Sequence, residues 1–278
     1  MRIIQEKQII DTVAKLAIDA NYYLPYDVVA VIKEFAKKER NKKAKNGLFK
    51  IIENYKKAKK GIYPLCQDTG IAVVFVEIGN NVCINGDIYR AINKGIEIGY
   101  EKGYLRKSTT EPLKRKNFGT NTPAIIHLEV VPGSKIKISL MTKGAGAENK
   151  SNIKMFTPTE DIEEIIQFVI DTVKNAGASA CPPYIIGVGI GGNFETAPLL
   201  AKKALLRNIK DFNKNKEIAN LEKLLLKRIN ELKIGAFGFG GDTTAIAVKV
   251  ETMPCHIASL PVAVNIQCHS ARHKTIII

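Results

Sequence analysis

The sequence predicts a mixed α/β fold (α+β), in which a helical N-terminal region is followed by mixed sheets. Two observations indicate this class. Apolar residues recur at helical spacing through the first 60 residues, and strand and helix patterns then mix without a sharp boundary. We therefore expect residues 1–278 to form a single domain, with 1–61 as a possible helical subdomain within it. The sequence contains no recognisable internal repeat.

The individual elements follow from local patterns. An apolar run over 71–76 predicts a strand, and residues 87–103 predict a helix with its apolar positions on one face. Two apolar runs, 125–131 and 135–141, flank Pro132-Gly133-Ser134, which is typical of a β-hairpin. Further along, the patterns predict a helix over 158–175 capped by Thr159, helices over 195–209 and 216–233, and strands over 245–252 and 258–267.

Composition and charge exclude several classes of protein. Hydrophobic residues make up 45% and charged residues 25% of the chain, which is ordinary globular usage and argues against disorder. No apolar run approaches the roughly 20 residues of a membrane span, and the N-terminus lacks a signal-peptide pattern. We therefore expect a cytoplasmic protein with no membrane segment.

The net charge of +15 is compatible with an anionic substrate or with nucleic acid. Much of the excess lies in lysine runs, and such runs are usually solvated helix faces. No basic motif is interleaved with aromatic residues, which make up only 7% of the chain. A basic nucleic-acid-binding protein therefore remains a distant alternative.

Three of the five cysteines lie where predicted elements begin or end, namely Cys66, Cys181 and Cys268. Cys83 lies among apolar neighbours and is expected to pack, whereas Cys255 is harder to assign. The odd count and the absence of a C-x-x-C pair argue against disulfides and local zinc sites. Three thiolates can hold a [4Fe–4S] cluster and leave one iron open as a Lewis acid. Three unrelated buried cysteines are the more common case.

Glycine-rich segments suggest other chemistry. The segment Gly187–Gly192 resembles a nucleotide-binding turn, but its spacing differs from G-x-G-x-x-G, so a nucleotide-dependent oxidoreductase is only a distant alternative. Gly144 and Gly146 mark a turn where the backbone could approach an anion. Asp68, two residues after Cys66, is compatible with turn capping or with catalysis.

Several motifs, in order along the chain, resemble one known family, the α subunits of class I fumarate hydratases and the similar α subunits of L-tartrate dehydratases. The motifs are Cys66-Gln-Asp-Thr-Gly70, Lys143-Gly-Ala-Gly-Ala-Glu-Asn149, Pro182-Pro-Tyr-Ile-Ile-Gly-Val-Gly-Ile-Gly-Gly192, Gly240-Gly-Asp-Thr-Thr244 and His256-Ile-Ala-Ser-Leu-Pro261. The resemblance implies a cluster-binding domain with a [4Fe–4S] cluster on three cysteines and one open iron. Cys66, Cys181 and Cys268 would be the ligands, with Cys255 as a competitor for the third place.

The resemblance also implies the residues of a substrate site. Asp68 would transfer the proton at carbon, and Gln67 would lie beside it. Arg106 would bind a substrate carboxylate, and His256 would contact the substrate. Gly144 and Gly146 would present backbone N–H groups to the dianion, although alanine at positions 145 and 147 departs from the expected glycine-rich pattern.

The function that the resemblance implies is the reversible hydration of fumarate to (S)-malate, with L(+)-tartrate dehydration as the alternative. The substrate would be a C4 dicarboxylate. A second, β-type domain completes the site in this family and does not follow residue 278 here, so we expect a separate β subunit in a heterodimer or heterotetramer, with little activity without it. We expect no nucleic-acid partner.

Overall fold

A computed structural model describes all residues, 1–278, and the chain divides into two compact units. The first unit contains Met1–Pro25, Tyr55–Ala145 and Arg272–Ile278, and the second unit contains Tyr26–Asn54 and Gly146–Ala271. Helices accompany a four-stranded sheet in both units, so the predicted mixed α/β class is confirmed.

The chain contains eight α-helices and ten strands. The helices are α1 Glu6–Tyr22, α2 Tyr26–Lys38, α3 Lys42–Ala58, α4 Ile88–Lys102, α5 Ala145–Glu148, α6 Ile162–Ala176, α7 Thr196–Ala204 and α8 Lys216–Glu231. The strands are β1 Arg2–Gln5, β2 Ile71–Gly79, β3 Val82–Asn85, β4 Ile125–Val131, β5 Ile136–Lys143, β6 Asn152–Phe156, β7 Tyr184–Gly191, β8 Ala245–Met253, β9 Leu260–Gln267 and β10 His273–Ile277.

The predicted helical N-terminal region contains three helices, α1, α2 and α3, but α1 belongs to the first unit and α2 to the second. The single domain over 1–278 and the helical subdomain over 1–61 stay predictions. Helix α6 begins after Asp161, whose carboxylate accepts a hydrogen bond from the N–H of Glu164 at 3.1 Å. The predicted cap at Thr159 is therefore wrong by two residues.

The sheet of the first unit has the strand order β10-β5-β2-β4. β2 is parallel to β4 and antiparallel to β5, and β1 pairs in parallel with β3 outside this sheet. Helices α1 and α4 contribute most of the helical side of the core, because their apolar stripes are buried. Core residues include Val13, Leu16, Val74, Ile92, Ile96, Ile138 and Leu140.

The hairpin predicted over 125–141 is wrong. β4 and β5 do not pair, because β2 lies between them. The connection passes across the end of β2, where the N–H of Gly79 donates to the carbonyl of Lys135 and that of Asn80 to Val131, both at 2.8 Å. A nearly continuous buried strand such as β2 gains from partners on both sides, and the local turn pattern does not show which strand occupies the middle.

The sheet of the second unit has the strand order β6-β9-β7-β8. β7 is parallel to β8 and antiparallel to β9. This arrangement repeats that of the first unit, where β2 has a parallel partner on one side and an antiparallel partner on the other. The core of the second unit includes Ile166, Val169, Val173, Val188, Leu225, Val250 and Val264.

Helix α7 packs directly on β7 because two strand residues are glycines. A Cβ on Gly189 would lie 2.1 Å from the carbonyl oxygen of Ala197, and a Cβ on Gly187 would lie 2.0 Å from that of Ala201. Separations this short are sterically impossible, so any larger residue would push the helix away. The glycine-rich run that suggested a nucleotide-binding turn therefore has a packing role.

Glu39 anchors the segment Gly240–Thr244 within the second unit. Glu39 is 2% exposed. Its carboxylate accepts hydrogen bonds from the N–H of Asp242 at 2.9 Å, from the N–H of Asn41 at 2.9 Å and from the hydroxyl of Thr243 at 2.7 Å. Burial alone would raise the pKa of Glu39, but these hydrogen bonds outweigh burial and hold the pKa below its usual range.

We expect Glu39→Gln to lower the free energy of unfolding by about 2 kcal/mol near neutral pH, because an amide leaves buried N–H donors without an acceptor. A carboxyl with a depressed pKa stabilises the fold above its unfolded pKa, about 4.3, and that contribution is lost as the pH falls through the folded pKa. The difference between wild type and variant should therefore shrink in acid. Urea unfolding from about pH 3 to about pH 8 measures both effects.

The control for this prediction is Glu34→Gln. Glu34 lies on α2 in the same unit, but its side chain is exposed and pairs with Lys210. Exposed ion pairs contribute little, so this variant should unfold almost as the wild type does. Equal losses for both variants, or a Glu39 effect that grows in acid, would contradict the assignment of Glu39 as the anchor.

Candidate active site

Residues 66–70 of the first unit form a loop that leads into β2 and is held by buried donors. The hydroxyl of Tyr100, which is fully buried, donates to the carbonyl of Thr69 at 2.8 Å. The guanidinium of Arg272, which is 2% exposed, donates to the carbonyl of Asp68. Burial raises the pKa of Tyr100, so its hydroxyl stays a neutral donor. The backbone of this loop is therefore held by hydrogen bonds from the buried side.

The carboxylate of Asp68 is oriented by two backbone donors. The N–H of Gly70 donates to Oδ1 at 3.1 Å, and the N–H of Ala145 donates to Oδ2 at 2.9 Å. Hydrogen bonds to a charged acceptor are stronger than neutral ones. Since each oxygen has one donor and can accept further hydrogen bonds, the half-buried carboxylate is fixed in direction but retains lone pairs for another proton.

Gly144 lies against two polar side chains. A Cβ there would be 2.9 Å from Oδ2 of Asp68 and 3.1 Å from Nη2 of Arg272. Any other residue at this position would displace one of them. The Nε of Arg272 is buried without a hydrogen-bond partner, and Nη1 also lies 3.3 Å from Oδ1 of Asn21. The first unit thus brings Gly144, Asp68 and Arg272 together.

The alanines that depart from the expected glycine-rich pattern fit without strain. Residues 145–148 form α5, and none of them has a positive φ angle. Gly146, in the second unit, has open space where a Cβ would lie, with only the carbonyl oxygen of Ser179 as close as 3.9 Å. The N–H of Ala145 is occupied by Asp68. The role of Gly146 in binding a dianion stays a prediction.

The other candidates of the first unit lie on or beside the same loop. The thiol of Cys66 is half-buried, with its Sγ 3.3 Å from Oε1 of the exposed Gln67. The carbonyl of Arg106 accepts a hydrogen bond from the hydroxyl of Thr69 at 2.6 Å, while the Arg106 side chain is exposed. This unit therefore places Cys66, Gln67 and Arg106 around the loop that carries Asp68.

Cys181 of the second unit occupies a strained turn before β7. Its φ angle is 57°, in the left-handed region. A left-handed backbone costs a residue with a Cβ roughly 1 kcal/mol or more. The turn is held because the N–H of Cys181 donates to the carbonyl of Ala178 at 3.2 Å and its carbonyl accepts from the N–H of His269 at 3.3 Å.

That hydrogen bond to His269 brings Cys268 next to Cys181. Burial raises the pKa of the Tyr184 phenol, and electrostatic repulsion from Cys181 and Cys268 raises it further. The Tyr184 hydroxyl donates to the carbonyl of Gly177 at 2.6 Å. The second unit therefore pairs Cys181 with Cys268 at the N-terminal end of β7.

Cys255 and His256 lie at the opposite end of this strand. Gly191, the last residue of β7, is opposite Met253, whereas Ile185 near its start is opposite Gln267. β7 has eight residues, which corresponds to about 25 Å. Cys255 therefore does not compete with Cys268 beside Cys181. The expected contact of the exposed His256 with substrate stays a prediction, and this placement gives it no support.

The donor chemistry of the second unit fits an iron–sulfur cluster. Neither Cys181 nor Cys268 forms a disulfide, and both are accessible to solvent, one exposed and one half-buried. Thiolates are the usual ligands of such clusters. No group of three or more His, Cys, Asp or Glu side chains is suited to a single metal ion. A cluster of four irons spaces its ligands more widely than one ion does.

The sequence patterns assign no role to three residues of these sites, namely Tyr100, Arg272 and Gln267. All three are almost fully buried. A polar residue at an apolar position of a helix or strand is the available signal, since such a residue must find partners inside.

No helix of the chain has the length and apolarity that crossing a membrane requires.

Comparisons with known proteins agree with the motifs. The family described as Fumarate hydratase (Fumerase) matches residues 10–277. The chain is 46% identical over 272 residues to a protein of Methanocaldococcus jannaschii named putative L(+)-tartrate dehydratase subunit alpha, covering 95% of each chain. It is 30% identical over 259 residues to the L(+)-tartrate dehydratase subunit alpha of Escherichia coli O157:H7, covering 92% of this chain and 86% of that one.

The match extends over both units and includes both cysteine loops. The predicted resemblance is therefore confirmed. The chain belongs to the family of class I fumarate hydratases and L(+)-tartrate dehydratase α subunits, and it is a hydro-lyase.

Proposed function

We propose that the chain is the α subunit of a [4Fe–4S]-dependent class I fumarate hydratase, which hydrates fumarate reversibly to (S)-malate. The observation that carries this proposal is the pairing of Cys181 with Cys268 at the N-terminal end of β7. Membership of the family supports the reaction class.

Cys66, Cys181 and Cys268 are the cluster ligands in this proposal. When bound, the cluster supplies an open iron that acts as a Lewis acid toward a hydroxyl leaving group. Support for Cys268 over Cys255 comes from the second unit, where only Cys268 lies beside Cys181. Support for Cys66 comes from its half-buried position on the loop that carries Asp68.

Asp68 moves the proton at C3 of malate. Its carboxylate is oriented by hydrogen bonds from the N–H groups of Gly70 and Ala145. It therefore needs little reorganisation to accept the C3 proton of a bound substrate. The charge that develops on the substrate carboxylate requires nearby cations. Arg106 binds that carboxylate, while Gln67 and Gly144 lie beside the reacting atoms.

L(+)-tartrate is the second candidate substrate, and a specific observation favours it. The relatives at 46% and 30% identity both carry the name L(+)-tartrate dehydratase subunit alpha, the first as a putative function. Malate and tartrate are both 2-hydroxy dicarboxylates that differ by one hydroxyl, so the residues discussed above suit either. The same relatives are named as alpha subunits, which supports a separate β subunit for this chain. The cytoplasmic location stays a prediction.

The cluster ligands are tested by iron and acid-labile sulfide on anaerobically reconstituted chain. We expect about four of each in the wild type and a clear loss in Cys66→Ser, Cys181→Ser and Cys268→Ser, because oxygen is a poor replacement for a thiolate ligand. Cys255→Ser is the matched control and should keep the wild-type content. Loss in the control, or no cluster in the wild type, would overturn the assignment.

The substrate is tested by comparing kcat/KM for fumarate, (S)-malate and L(+)-tartrate on the reconstituted enzyme. The proposal expects fumarate and malate to be preferred; a preference for tartrate would establish the second candidate instead. Asp68→Asn should lower kcat by about 10²-fold to 10⁴-fold, the usual contribution of a positioned base.

Asp87→Asn is the matched control for Asp68→Asn. Asp87 lies in the same unit and also accepts two backbone hydrogen bonds, from the N–H groups of Tyr89 and Arg90, but it caps α4 instead of facing Gly144. Its variant should retain nearly full kcat. A similar kcat in both variants would remove Asp68 from the reaction.

The need for a β subunit is tested on the iron-loaded chain alone. We expect turnover about 10²-fold or more below that of the complex with a β chain, because cations from that chain are required to stabilise the developing charge. The iron content of the chain, measured in parallel, is the control. Full turnover by the chain alone would contradict the proposal.

A further inference from the structure

The side chain of Gln267 is buried against Cys268 at the end of β9. Gln267 is 3% exposed. Its Nε2 lies 3.0 Å from the carbonyl oxygen of Ser270, 3.6 Å from Sγ of Cys268 and 3.5 Å from the carbonyl oxygen of Cys268. Its Oε1 is buried and has no hydrogen-bond partner.

These neighbours determine which way the amide faces. All three atoms around Nε2 can accept a hydrogen bond, so the opposite orientation would place Oε1 among acceptors. The observed orientation leaves Oε1 without a donor, which buried polar atoms rarely tolerate. The Gln267 N–H groups are therefore held toward the sulfur of Cys268 in spite of the unsatisfied oxygen.

The hydrogen bonds of the Gln267 amide are best satisfied when Cys268 is a thiolate. As a thiol, Cys268 also lies within donating distance of the Ser270 carbonyl, with Sγ at 3.8 Å. As a metal-bound thiolate it has no hydrogen and can only accept. The two hydrogens on Nε2 of Gln267 then have two good acceptors, the Ser270 carbonyl and the thiolate, and the hydrogen bond to sulfur gains from its negative charge.

We propose that Gln267 is a positioning residue for the cluster: it donates a hydrogen bond to the ligating sulfur of Cys268, slows the loss of iron and raises the reduction potential. The inference rests on the proposed function, in which Cys268 is a ligand. Partners of metal ligands orient those ligands and tune the metal, and hydrogen bonds to sulfur favour the reduced, more negative form of a cluster.

The chain offers a matched control two residues earlier on the same strand. Asn265 is also a buried amide, 7% exposed, with an oxygen that has no partner. Its Nδ2 donates to Oε2 of Glu148 at 3.1 Å instead of to a sulfur. Residues two apart on a strand face the same side of the sheet. Removing this amide therefore reproduces the loss of a buried polar group without touching a ligand.

The experiment compares wild type, Gln267→Met, Gln267→Glu and Asn265→Leu after anaerobic reconstitution of the full chain. Two quantities are measured: the rate of iron release to a chelator, and the midpoint potential of the cluster in a mediator-poised titration followed by electron paramagnetic resonance. We expect both Gln267 variants to release iron about tenfold faster or more. Their potentials should fall, more for Glu than for Met, because a Glu side chain places oxygen acceptors against the thiolate. Asn265→Leu should match the wild type.

The outcomes separate this inference from the proposed function. A wild type without a cluster overturns both. A wild type with a cluster, but with iron release and potential unchanged in the Gln267 variants, overturns the role of Gln267 alone. Equal changes in Asn265→Leu would show a general effect of lost buried amides and would also overturn it. Failure of both Gln267 variants to fold, with Asn265→Leu folded by circular dichroism, would assign Gln267 a structural role and reject the proposal.

Discussion

The candidate residues of each unit depend on the same constraint: a buried central strand with a parallel partner on one side and an antiparallel partner on the other. β2 has β4 and β5 as these partners, and β7 has β8 and β9. A cysteine loop precedes each central strand, at Cys66 in the first unit and at Cys181 in the second. Because each central strand is hydrogen-bonded to a strand on both sides, the position of its first residue is fixed. That residue in turn determines where the preceding cysteine loop ends.

In both units, the segment that follows the parallel partner of the central strand crosses the C-terminal end of that central strand. In the first unit, residues 132–135 pass across the end of β2. In the second unit, residues 254–259 connect β8 to β9 at the C-terminal end of β7. This topology carries the end of β9, with Gln267 and Cys268, to the start of β7. Cys181 and Cys268 are thus neighbours although 87 positions separate them in the sequence.

Local patterns in the sequence were sufficient for the longer helices and the longer strands, but they missed the short helix α5 and the short strands β1, β3, β6 and β10. Each of α4, α6 and β2 is buried against its own unit. The apolar pattern of each segment shows this burial without information from the rest of the chain. The prediction of a hairpin over 125–141 was wrong because the turn pattern is local, whereas β2, which lies between β4 and β5, is distant in sequence. The repeated sheet topology was also invisible, since it is a repeat of connections and not of residues.

The candidate site divides in the same way. Cys66, Cys181 and Cys268 were predicted from their places at the ends of elements, and the resemblance to a family gave them and Asp68 their predicted roles. The chemistry of residue types alone left Cys255 as a competitor. Only strand register removes that competitor from the neighbourhood of Cys181. Tyr100 and Gln267 were missed because their importance lies in burial, and burial of a polar side chain depends on segments far away in sequence.

Those buried polar side chains fix the loop residues of each unit in position. In the first unit, Arg272 and Tyr100 hold carbonyls of residues 66–70. In the second unit, Tyr184 holds the carbonyl of Gly177, four residues before Cys181, and Gln267 holds that of Ser270, two residues after Cys268. Each donor belongs to, or directly precedes, a helix or strand whose packing fixes its position. Burying such donors opposes folding unless their hydrogen bonds are made, so displacing either loop would leave a donor unsatisfied and raise the free energy of the whole unit.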